Sequence, residues 1–141
     1  MADVPVADAV AQARAALDLP AAVAAEVIPT RRLDRAGSYL LVVFGPPGGA
    51  VAVATLDPAS GALEHSATLD GGQPFPPVNA AAARRVAGAG PQASAEAVWL
   101  PCRASMSPLY PLWRVEGPDG ALFVDQAGEV HRALAPGGRG G

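Results

Sequence analysis

Few residues of this chain are of types that do chemistry. Cys102 is the single cysteine, set in WLPCRAS beside Arg103, whose charge would favour the thiolate, with two histidines elsewhere to act as a base. A lone cysteine alternating within a strand is more simply a small buried hydrophobe, and that is expected here. His65 and His131 each follow a turn opened by an aspartate, Asp57 and Asp125, and the two histidines could meet to bind a metal with Asp57 or Asp125. No HxH, HExxH or CxxC spacing accompanies them, so strand-surface histidines are expected and no metal ligand is assigned. Asp57 and Asp125 are explained by turn chemistry, since an aspartate opening a turn accepts from the amides that follow it. Ser105 and Ser107 lack the GxSxG elbow of an activated serine. No nucleophile is paired with a base, so the chain is expected not to be an enzyme and to need no cofactor.

Composition narrows the classes further. All ten basic residues among the 141 are arginine. Without lysine, the chain supplies neither a phosphate-loop lysine nor a Schiff base. The formal charge is −3, and the arginines are scattered, as at Arg31–Arg32 and Arg84–Arg85. There is no basic stripe for nucleic acid. The longest apolar run, Tyr39 to Phe44, is far too short to span a bilayer, and the N-terminal residues lack a positive, then apolar, signal pattern. A cytoplasmic protein with no nucleic-acid or membrane partner is expected. One cysteine cannot form an internal disulfide, which fits that compartment.

The elements that would position these residues come in a repeated order. Val6 to Leu19 places Val6, Val10, Ala13 and Leu17 on one face, the spacing of an amphipathic helix. Strand-like segments follow: EVIPTRRL (26–33), SYLLVVFG (38–45), AVAVATLD (50–57) and ALEHSATL (62–69), with GPPGG as a turn. DGGQPFPP (70–77) reads as a connection. Asn79 is a suitable N-cap for a second helix, Ala80 to Val86, stopped at Gly88. Strands are expected again at 96–103, 110–116, 121–125 and 129–134. The expected fold class is α+β, two repeats of a helix followed by an antiparallel β-meander: residues 1–70, a Pro/Gly-rich connection 71–78, a second repeat 79–135 and a flexible tail 136–141.

The hairpin VATLDPASGAL, and again FVDQAGEV, resembles the hairpin of PepSY-like domains: a strand ending in Asp, a polar turn with Gly, and an apolar residue opening the return strand. Such domains are similar to cystatin-like units, with a helix packed on an antiparallel sheet. The resemblance implies cystatin-like halves and a binding or inhibitory module.

Two features of the second repeat bear on function. Trp99 to Trp113, WLPCRASMSPLYPLW, gathers large side chains in a chain with only seven aromatics. Trp, Tyr, Met and Arg are enriched at protein–protein contacts, so Trp99, Arg103, Met106, Leu109, Tyr110 and Trp113 form the candidate partner surface. Met106 and Tyr110 are expected to be exposed; Trp99 and Trp113 suit a core or a contact equally. The other feature is the ending RGG. Gly140 and Gly141 resemble the C-terminal Gly-Gly of ubiquitin-like modifiers and sulfur carriers, which implies an activated terminal carboxylate, although a leading helix departs from the hairpin-first order of those folds. The first expectation is a non-catalytic protein-binding or accessory protein of the inhibitor, immunity or assembly type, with self-association left open. The alternative is a modifier or carrier acting through Gly141, and an enzyme of unknown class comes third.

Overall fold

In the computed structural model, which describes residues 4–46, 48–102, 105–118 and 120–134, alanine-rich sequence becomes helix and β-branched sequence becomes sheet. The elements are α1 (Val6–Ala16), β1 (Ala25–Arg32), β2 (Ser38–Phe44), β3 (Ala52–Leu56), β4 (Leu63–Thr68), α2 (Ala80–Val86), β5 (Ala95–Trp99), β6 (Leu112–Gly117), β7 (Gly120–Val124) and β8 (Val130–His131). The fold is mixed α and β. The eight strands follow the hydrogen-bonded order β4-β3-β2-β1-β5-β6-β7-β8, so they make one mixed sheet instead of two separate meanders. The join is one long-range pairing: β1 pairs with β5 in parallel, Arg31 opposite Val98 and Arg32 opposite Trp99, which strand-by-strand reading of the sequence does not reveal.

The chain divides into two compact units, one of Met1–Pro29 with Ser38–Phe75, the other of Thr30–Gly37 with Pro76–Gly141. The segment expected as a separate connection, 71–78, is thus shared out between them, and the end of β1 with its following turn belongs to the second unit.

In the first unit, Ala9, Val10 and Ala13 of α1 pack on Leu40, Val42, Phe44, Ala52, Ala54 and Leu56. The small helix side chains allow close approach, so a lean composition still closes a core. α1 has no side-chain cap, but Asp8 lies in its first turn and Arg14 in its last, each at the helix end whose dipole favours that charge. β2 is buried at every residue after Ser38 and β3 throughout, as suits interior strands, whereas β4, exposed at most positions and carrying the polar side chains of Glu64, His65, Ser66 and Thr68, ends the sheet.

In the second unit Asn79 caps α2, its side chain accepting from the amide of Ala82 at 2.9 Å. Val98, Cys102 and Leu112 form a core cluster with Leu33, Phe123 and Leu134 against it. Several strands end sooner than expected. β5 stops at Trp99 because Pro101 breaks it, and Cys102 instead makes an isolated bridge with Ser105; β8 is two residues long.

The internal bonds of the two units correspond. The amides of Leu17, Asp18, Leu19 and Val23 bond the carbonyls of Ala13, Ala15, Arg14 and Pro20; those of Ala87, Gly88, Ala89 and Ala93 bond Ala83, Arg85, Arg84 and Gly90. Arg14 donates to the carbonyl of Val23, and Arg84 donates to that of Ala93. Every one of these partners is displaced by seventy residues. The left-handed residue after each helix corresponds too, Asp18 at φ 56° and Gly88 at φ 72°.

Candidate functional site

The two closing hairpins are built on the same aspartate turn. Asp57 Oδ1 accepts from Ala59 N at 2.8 Å, while the Asp57 amide reaches the Ala62 carbonyl at 2.9 Å. In the second unit Asp125 Oδ1 accepts from both Ala127 N and Glu129 N at 2.9 Å, and the Asp125 amide reaches the Glu129 carbonyl at 3.0 Å. Here the likeness stops. Asp125 is 4% exposed and its Oδ2 meets His131 Nε2 at 2.8 Å. Burial pushes the Asp125 carboxyl up, but the bonds from His131 and from the Glu129 and Ala127 amides, with the histidine's charge, outweigh it and hold the group below the usual carboxylate range. Position by position, Ala62 in the first hairpin stands where Glu129 stands in the second, and the exposed His65, opposite Thr55, stands where His131 lies opposite Phe123.

An open hollow of about 580 Å³ adjoins this turn, lined by Pro77, Ser105, Met106, Ser107, Tyr110, Asp125, Gln126, Ala127 and Glu129. Its walls are tied together. Gln126 accepts from the Val78 amide at 2.7 Å and donates to the Pro111 carbonyl at 2.9 Å, and Trp113 Nε1 donates to the Val78 carbonyl at 2.7 Å. One glutamine thus links the hairpin, the entry to α2 and the start of β6, which holds the hollow's rim on bonded backbone. Across from it, Ser105 is buried, with its hydroxyl donating to the Tyr110 and Ser107 carbonyls, which braces the loop.

The expected partner surface is divided by the fold. Met106 is 84% exposed and Tyr110 42%, both on the hollow; Leu109 is half-buried, its amide donating to Ser107 Oγ. Trp99 and Trp113 are buried and belong to the core, not to a contact. Trp99 lies under the Arg32 guanidinium, 5.2 Å from its ring centroid, and Trp113 is inside β6 with its indole N–H already used. Arg103, Gly140 and Gly141 lie outside the described residues. Cys102 is buried, as a small hydrophobe, in the bridge with Ser105.

Sequence reasoning missed Gln126 and Glu129. The signal present was the spacing of Asp125, Glu129 and His131: a short turn folds the residues four and six positions on back toward the aspartate. Gln126 carried none, because its partners are 48 and 15 residues away.

Among the described residues no helix is long and apolar enough to cross a membrane. No protein-family model, curated protein or solved structure matches the chain.

Proposed function

We propose that the chain is a non-catalytic protein-binding or accessory protein made of two copies of one helix-and-four-strand unit, with its binding surface on the second copy. The duplication is supported by the bonds that recur at a seventy-residue displacement, including the arginine that braces each helix-to-strand connection. The hairpins that resemble PepSY-like domains point to the same class.

One observation carries the placement of the surface. In the first copy five residues, 33–37, join β1 to β2; in the second, twelve, 100–111, join β5 to β6. The first copy closes the equivalent turn without the additional length, so the fold does not require it, and long loops on a bonded scaffold are where binding residues concentrate. That loop holds Met106 and Tyr110 out to solvent beside the hollow. Methionine adapts to irregular surfaces and tyrosine offers a rigid amphipathic ring, so the partner is a protein that seats an apolar side chain between them.

The test compares capture from the native host by the intact chain and by Met106→Ala and Tyr110→Ala, followed by direct titration of the partner so identified. A partner held by the intact chain and released at least about tenfold more readily by the folded variants supports the reading. A partner retained equally by both variants refutes it.

A further inference from the structure

We propose that Asp125, Glu129 and His131 form a binding site for one divalent transition-metal ion. One side-chain ligand atom from each of the three lies within 4.8 Å of the other two. Ligands at the usual distance of about 2.0–2.2 Å from a common ion stand about 3 to 4 Å apart, so a small rotation of the exposed Glu129 closes the set. The 2.8 Å between Asp125 Oδ2 and His131 Nε2 is already close to the separation of two adjacent ligands. The amides of Ala127 and Glu129 hold Oδ1, which orients Asp125 with Oδ2 on the side of His131, the arrangement by which a second shell aims a ligand.

The first copy provides the internal comparison. Its hairpin likewise closes through an aspartate that accepts from the amide two residues on, but Ala62, whose own amide bonds Ser60 Oγ, stands in the place of Glu129, and the histidine, His65, is exposed. Turn formation therefore accounts for Asp125 but not for the acid and imidazole brought against it. One imidazole nitrogen with two carboxylate oxygens is a donor set for zinc or manganese-type ions; it lacks the thiolates that favour copper(I) and the six to eight oxygens that calcium takes. Three protein ligands leave a coordination position open, and Asp125 and Glu129 both line the hollow through which water or a small ligand would reach it.

The site is independent of whether Met106 and Tyr110 bind a partner, and its test reads the ion alone. The full chain is titrated by calorimetry with zinc, manganese and calcium chlorides in chelator-free buffer. The expected result is one-to-one binding of zinc or manganese, tighter than calcium, with the Ala127 and Glu129 amide resonances shifted in the nitrogen–proton correlation spectrum. Glu129→Gln and His131→Gln, both at solvent-reachable side chains, should each weaken binding at least about tenfold, whereas His65→Gln leaves it unchanged. Absence of saturable binding, binding that survives both substitutions, or equal loss in His65→Gln overturns the assignment.

Discussion

Arg31 and Glu96 show how little a well-formed exposed ion pair needs to contribute. The pair is bidentate, Nε to Oε2 at 2.7 Å and Nη2 to Oε1 at 2.9 Å, yet each side chain is nearly half exposed. The hydrogen bonds from Arg31 hold the Glu96 carboxyl below its ordinary value; partial burial pushes it up, and the charges of Arg31 and Arg114 add to the lowering. A depressed acid stabilises the fold above its unfolded pKa, about 4.3, and that contribution fades as the pH falls through the lower folded value. Glu96→Gln is therefore expected to cost less than about 1 kcal/mol at neutral pH, with the difference from the parent vanishing in acid, as urea titrations at pH 7 and pH 3 would read. Thr55 is the opposite case. Its hydroxyl is buried in β3 and has no hydrogen-bond partner among the described residues. Thr55→Val keeps the β-branched shape and removes the unpaired group, so thermal or urea unfolding should show a gain of about 1 kcal/mol.

At the scale of elements, connections matter as much as strands. A Cβ added at Gly49 would sit 2.6 Å from the Gly71 carbonyl oxygen, whereas one added at Gly48 meets nothing within 4 Å. Gly49→Ala must shift backbone and is expected to lower stability by at least about 1 kcal/mol, while Gly48→Ala stays within about 0.5 kcal/mol of the parent. The same denaturation series should separate them. Leu112, fully buried where β6 begins, joins Val98 and Cys102 in the second unit's core. Leu112→Ala is expected to cost about 2–5 kcal/mol by loss of burial and creation of a cavity.

For the whole molecule, the comparison between units yields a prediction. Replacing residues 100–111 by the five-residue connection between β1 and β2, Leu33 to Gly37, should leave a cooperatively folding protein with the parent far-ultraviolet circular dichroism, weakened by the loss of Cys102 from its core, and should abolish partner capture. Failure to fold in that exchange would mean that the long loop serves the scaffold, against the proposed division between scaffold and binding surface.

Residue types and their short-range spacing specify the order of elements and much of their extent. Alanine at helical spacing and Asn79 before Ala80 define α2 at Ala80–Val86, and Asp57 and Asp125 set both hairpins through bonds to amides only two residues on. These interactions are local, so neighbouring residue types are enough to specify them. The lysine-free composition likewise excludes whole classes of chemistry, whatever fold the chain adopts. Long-range packing is what pairs β1 with β5, buries Trp99 and Trp113 while Met106 and Tyr110 face solvent, and ties Gln126 into the rim of the hollow. Each of these depends on partners distant along the chain, where side-chain type says how much surface there is to bury but not which neighbour buries it. His131 marks the boundary between the two: its spacing from Asp125 was in the sequence, but its 2.8 Å contact, which the corresponding hairpin does not share, arises from how that one turn folds.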